Sequence, residues 1–144
     1  MSRSIDSIVV GVRSIDRATH MWVNHFGLDV VSERNGADSD LSKLWGLDDD
    51  EIEKQVLLAT PRIEVGRIHI VQFKNPSLPV RKQANATDLG PKNLDVTCLD
   101  LPKKYQELTD LGYSFRSEYV AYQIESIGAD VLEVQMPGHD YTNI

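Results

Sequence analysis

The chain is short of cysteine and of basic charge, and it has no long apolar run. Each shortage removes a class of protein. One cysteine, Cys98, in 144 residues leaves no partner for an internal disulfide, which fits a reducing compartment, the cytoplasm. The expectation for Cys98 is a buried structural thiol within a strand. Lysine and arginine number 15 against 22 aspartate and glutamate, a net charge of −7. That balance argues against nucleic acid and against an anionic membrane surface as partners. No apolar stretch reaches the roughly eighteen residues of a membrane span. The opening Met-Ser-Arg-Ser-Ile-Asp lacks the apolar core of a secretory signal. There is no Gly-x-Ser-x-Gly elbow, no glycine-rich phosphate loop and no dinucleotide fingerprint. What remains, at 41% hydrophobic and 26% charged residues, is an ordinary globular composition, enough for one domain or two small modules sharing a core.

The chain says nearly the same thing twice. Ile8-Val9-Val10-Gly11-Val12 reads as a strand leading into a capped helix that stops at Gly27, followed by Leu28 to Glu33. Leu94-Asp95-Val96-Thr97-Cys98 repeats the strand, and a second capped helix stops at Gly112, followed by Tyr113 to Glu118. The two glycines lie 85 positions apart, and Ser32-Glu33 falls on Ser117-Glu118 at the same offset. A long period seen twice means paired modules rather than a solenoid.

Within module one, Ser14 is a good N-cap, and Ala18, Met21, Trp22, His25 and Phe26 share a face at helical spacing, which predicts an amphipathic helix over 15–26. Trp22 belongs to the core or an interface. His20 and His25 are five apart, which on an α-helix turns them away from each other and denies them the i, i+4 spacing of a zinc pair. Residues 35–50 are irregular and acidic (Asp38, Asp40, Asp48 to Glu51, with Glu53 beyond), interrupted by Leu41, Leu44, Trp45 and Leu47, a spacing that allows one or two helical turns. Gln55–Thr60 and Arg67–Phe73 are further strands, making the first module βαβββ. Residues 75–92, rich in Pro, Gly and Asn, read as a linker. In module two, Asp100 caps a helix with Pro102 near its start and an apolar stripe of Leu101, Tyr105, Leu108 and Leu111. Three strands follow at 115–118, 121–125 and 131–135. The tail Pro137-Gly138-His139-Asp140 is expected to be free. The expected organisation is a single domain, 1–144, with module one over 1–74, a linker over 75–92 and module two over 93–144.

The runs Val10 to Ala18, Phe26 to Val30 and Leu44-Trp45-Gly46-Leu47, with Leu94 to Cys98 and Leu111-Gly112-Tyr113 in module two, resemble the vicinal oxygen chelate superfamily. Its members include glyoxalase I, bleomycin-resistance proteins, extradiol dioxygenases, fosfomycin-resistance enzymes and methylmalonyl-CoA epimerase. The resemblance runs from about residue 5 to 136. It implies an α+β fold of two tandem βαβββ modules forming a cupped, mostly antiparallel sheet, the glyoxalase/bleomycin-resistance/dioxygenase fold, with a pocket in the cup. It also implies a homodimer.

In metal-dependent members, inward-facing positions on the first and last strands of each module hold the ion. Here those positions fall on Ser7, His69, Asn93 and Glu133. Strand alternation agrees that His69, Val71 and Phe73 share one face, opposite Ile68 and Ile70, and that Glu133 and Gln135 share one face, opposite Leu132 and Val134. Serine hydroxyl and asparagine amide are poor donors for zinc, iron or nickel. No cofactor is therefore expected; a divalent metal, if held, would rest on His69 and Glu133.

The candidate catalytic groups are Glu133, as a general base, and His69, as its acid partner or an oxyanion donor. The candidate ligand-binding residues are Ser7, Asn93, Trp45, Phe73, Tyr122 and Arg116, aromatic walls and polar anchors for a small organic molecule. Tyr119 and Arg67 are weaker candidates of the same kind. The function expected is a glyoxalase/bleomycin-resistance-like protein that binds a small hydrophobic or aromatic molecule, with proton-transfer, isomerase or lyase chemistry open to it. The alternatives are a metal-dependent glyoxalase, epimerase or dioxygenase-type enzyme, and a non-catalytic drug or metabolite sequestration protein.

Overall fold

A β-branched run bounded by polar residues makes the first strand, β1 (Ser7–Val12). Its last residue leads through Ser14, whose hydroxyl accepts from the Arg17 amide, into helix α1 (Ile15–His20). The helix continues as a π-helical turn, Met21–His25. Strand β2 (Asp29–Asn35), helix α2 (Ser39–Trp45) and strands β3 (Ile52–Ala59) and β4 (Arg67–Phe73) complete the first half. The computed structural model describes residues 4–36, 39–48, 50–85, 87–88 and 93–144. Asp38 and Asp49 of the acidic stretch and Gly90-Pro91 of the linker lie outside them. The chain divides into two compact units, Met1–Leu78 and Pro79–Ile144.

In the first unit four strands form one sheet in the order β1-β4-β3-β2. Strand β1 lies parallel to β4, while β3 is antiparallel to both β4 and β2. Register fixes the faces. Ile68 and Ile70 pair with Leu58 and Val56, and all four are buried. Helix α1 and the π-helical turn cover this face with Ile15, Ala18, Met21 and Trp22, of which Ala18 and Trp22 are fully enclosed. Trp22 is thus a core residue. Two polar residues on the same face tie the helix down. Gln72 Oε1 accepts from the Ile15 amide at 2.7 Å, and Lys54 pairs with Asp16 at 3.2 Å and Glu33 at 2.8 Å. Those two carboxylates, Glu33 first, raise the Lys54 pKa. The opposite face carries Ser7, Val9 and Gly11 of β1 beside Arg67, His69 and Val71 of β4, then Leu57 and Gln55 of β3.

The second unit holds helix α3 (Leu101–Asp110), capped by Asp100 with Pro102 in its first turn, and a two-stranded antiparallel ribbon of β5 (Val120–Ile124) and β6 (Ala129–Glu133). Four sequence expectations are corrected here. Residues 94–98 form no strand; Asn93 makes a single parallel bridge to Asn143, and Cys98 is exposed rather than buried. Residues 115–118 form no strand and bend at 116–118; the Arg116 amide reaches the Gln135 carbonyl at 2.9 Å. The tail is not free. A 3₁₀ turn at His139–Tyr141 folds it back, and Met136 and Ile144 exchange both backbone hydrogen bonds, at 2.8 and 3.0 Å. The bonds that a first strand would have taken go to this returning segment, through Leu94 N–H to the Asn143 carbonyl at 2.9 Å. The fold class itself, α+β with a mostly antiparallel sheet, is as expected.

Candidate functional site

His69 sits mid-strand on β4, opposite Val9 of β1 and Leu57 of β3. Gln55, one diagonal step away on β3, is buried at 6% exposure. Its Nε2 donates to the Gly36 carbonyl at 3.2 Å, and its Oε1 lies 2.9 Å from His69 Nε2. A carbonyl can only accept, so the Gly36 contact fixes which end of the amide is nitrogen. The oxygen therefore faces His69, and His69 must donate from Nε2. In the neutral ring this leaves Nδ1 as an acceptor. Partial burial holds the His69 pKa below its ordinary value of 6.5, because desolvation penalises the charged ring, so the neutral form is the one to reason with near pH 7.

Trp45 closes one side. It is the last residue of α2, whose end is fixed by the Leu47 amide on the Ser42 carbonyl at 2.9 Å. Its ring lies 6.1 Å from that of His69, tilted by 45°. Phe73 ends β4 with its ring over Gly11; a Cβ on Gly11 would sit 3.5 Å from Phe73 Cε2. Ser7 begins β1 opposite Arg67, and Arg67 is ion-paired with Asp6. The first unit thus brings Ser7, Trp45, His69 and Phe73 together on or beside one sheet face. Gln55, the residue that orients His69, was not among the expected site residues. Its signal was a polar side chain at the parity of Leu57, next to the apolar run Val56 to Ala59.

The remaining candidates belong to the second unit. Tyr122 donates its hydroxyl to Glu133 Oε2 at 2.7 Å across the β5–β6 ribbon, and both are exposed. The hydrogen bond to that carboxylate is the main cause of a raised Tyr122 pKa. Arg116 and Asn93 meet the same residue, Asn143, the first through its guanidinium and the second through its backbone bridge. Tyr119 stacks edge-on against Tyr105 at 5.7 Å, and Tyr105 also packs on Phe115 at 4.4 Å, so its ring serves an aromatic cluster against α3. One expectation outside the site is overturned. The His20 and His25 rings are not turned apart; their centroids lie 5.3 Å from each other.

No protein-family model and no curated protein sequence matches the chain. Solved structures do. A glyoxalase family protein from Bacillus cereus superposes with a TM-score of 0.73 at 20% identity, covering 96% of this chain and 97% of that one. A fosfomycin resistance protein from Listeria monocytogenes, complexed with Mn(II) and sulfate, gives 0.56 at 14% identity, covering 99% and 89%. A virulence protein from Salmonella typhimurium gives 0.57 at 13%, covering 100% and 94%. The chain thus shares its fold with a glyoxalase family protein and a fosfomycin resistance protein, as the sequence resemblance implied. The residues at the positions that hold the ion in metal-dependent members are a poor set for zinc, iron or nickel. Among the described residues no three His, Cys, Asp or Glu side chains cluster. Ser7 and Asn93 offer only a hydroxyl and an amide. Among the described residues, no helix is long and apolar enough to cross a membrane.

Proposed function

We propose that the face of the first sheet bearing His69 binds a small organic molecule, planar and mostly apolar, that offers one hydrogen-bond donor. The observation that carries this is the chain Gly36 carbonyl, Gln55 amide, His69 imidazole. A buried amide that sets one ring nitrogen as donor presets the other as acceptor, beside the Trp45 indole. A preset acceptor and an aromatic wall are the usual furniture of a pocket for a flat ligand. Phe73 and Ser7 extend the surface. Asn93, Tyr122 and Arg116 are assigned to ligand contacts in the second unit, and the pairing of two copies into a homodimer belongs to the same reading. This reading calls for no resident metal, because Ser7 and Asn93 are poor donors for zinc, iron or nickel.

Fluorescence tests the binding. Trp22 is fully enclosed, so a flat aromatic metabolite should quench Trp45 and raise the melting temperature. Trp45→Phe should abolish the quenching and His69→Ala the stabilisation. Ligands that stabilise both variants as well as the parent would overturn the site. Turnover is a further step: with its second nitrogen preset as an acceptor, His69 would take up a proton rather than give one, and Glu133 of the second unit is a separate candidate base. Once a ligand that reacts is found, Glu133→Gln should slow it sharply, and unchanged turnover removes Glu133 from the chemistry.

A further inference from the structure

Five residues turn an α-helix so that its ends point about 140° apart, yet the His20 and His25 rings meet at 5.3 Å with planes at 72°. The cause is the π-helical turn Met21–His25, in which residue i bonds to i+5 and residues five apart become neighbours on one face. The extra residue is visible against the second helix. The caps Ser14 and Asp100 are 86 positions apart, but the stops Gly27 and Gly112 are 85 apart. The first helix therefore carries one residue more between cap and stop. Its closure is wider to match. Leu28 bonds back to Trp22 and Gly27 to Val23, whereas Tyr113 bonds to Leu108 and Gly112 to Thr109, each one position shorter. The turn is held from below by Met21 and Trp22, at 5% and 0% exposure, while His20 is exposed and His25 half-buried.

We propose that His20 and His25 form a chelating site for a borderline divalent transition ion such as Zn²⁺, Ni²⁺ or Cu²⁺, completed by water. Imidazole nitrogen suits these ions and not Mg²⁺ or Ca²⁺. With a metal–nitrogen bond of about 2.1 Å and the ring centre about 1 Å further on, two imidazoles at a tetrahedral angle have centres about 5 Å apart. The observed 5.3 Å meets that separation, and turning the exposed His20 ring about its side-chain torsions aims its nitrogen without moving the backbone. Because the backbone is anchored in the core, little ordering accompanies binding. The pair lies on the helix that covers the Ile68 and Ile70 face of the sheet, away from the face of His69, so it is independent of the organic-ligand site.

The test is calorimetric titration of the whole chain, freed of metal, with Zn²⁺ and Ni²⁺ near neutral pH, alongside NMR of the histidine ring protons. The expected result is one equivalent per chain, with the His20 and His25 ring signals shifted by Zn²⁺ and broadened by Ni²⁺. Either His20→Ala or His25→Ala should weaken binding by about tenfold or more, the effect of removing one of two ligands, and His69→Ala should leave it unchanged. His20 touches no core, so its variant should melt as the parent does and reads binding alone. Absence of binding overturns the proposal. So does binding that survives both substitutions or that disappears with His69→Ala.

Discussion

Gln55 Oε1 and His69 Nε2 stand 2.9 Å apart across neighbouring strands, and the same amide grips the Gly36 carbonyl at 3.2 Å with its other end. The relation is directional. It fixes His69 as the tautomer protonated on Nε2, which nitrogen-15 NMR of the imidazole reads directly. Gln55→Leu should remove that preference, and the ring should show a mixture of tautomers. The same change leaves a carbonyl and a ring donor short of partners, at a cost of about 1–3 kcal/mol in urea unfolding. A ring still held wholly as the Nε2–H tautomer in Gln55→Leu would show that something else orients it.

Two histidines make the fold sensitive to acid in a defined window. Burial lowers the pKa of His69 and, against the opposing pull of Asp140, of His139, both from 6.5. The unfolded chain then takes up protons at a higher pH than the folded one. Stability is thus untouched well above the unfolded value and falls as pH drops from there through the lowered folded values. Melting temperature should decline between pH about 7 and 5, before most carboxylates titrate. His69→Gln should flatten part of that decline and His139→Gln another part. A decline identical in both variants and the parent would assign it elsewhere.

Helix α1 is started by a strand residue. Gln72 Oε1 takes the Ile15 amide at 2.7 Å, and its Nε2 holds Glu53 at 2.8 Å. The N-cap Ser14 reaches the Arg17 amide only at 3.4 Å, long for a hydrogen bond. Gln72→Leu should therefore cost about 1–2 kcal/mol, the scale of a lost helix cap, and Ser14→Ala distinctly less. Chemical denaturation of the two variants decides it, and the reverse order would make Ser14 the working cap.

Much of the first unit was legible because its strands carry their own pattern. Arg67–Phe73 alternates Arg67, His69, Val71 and Phe73 with Ile68 and Ile70, so parity gave the face of His69, while the resemblance singled it out as a site position. The π turn was not legible from the apolar residues. Ala18, Met21 and Trp22 sit on the core side of an α-helix and of an α-helix with one wide turn alike. Only the mismatch between the cap and glycine offsets betrays it. The second unit was misread at its edges for a different reason. Leu94 to Cys98 has the alternation of a strand, but a strand needs a partner. The backbone that fills that place is the returning tail, whose sequence, Gly138 to Ile144, has almost no apolar pattern and works through main-chain bonds.

That returning tail depends on one small residue. Gly138 donates to the Thr142 carbonyl at 2.7 Å inside the turn. A Cβ there would stand 2.8 Å from Ile144 Cδ1 and 3.3 Å from the Thr142 carbonyl oxygen. The end of the Ile144 side chain can swing aside, but the carbonyl belongs to the turn that Gly138 closes. Gly138→Ala should thus be accommodated by Ile144, whereas the branched side chain of Gly138→Val should push the turn open at a cost of about 1–3 kcal/mol, as overpacking does. Opening would free the bonds from Met136 to Ile144 and from Leu94 to Asn143, so the Leu94 and Met136 amides should exchange with solvent much faster in the valine variant. Combining Ile144→Ala with Gly138→Ala should be milder than the sum of the two, because the collision disappears. Slow, parent-like exchange at both amides in Gly138→Val would mean that the tail is held by something other than this turn.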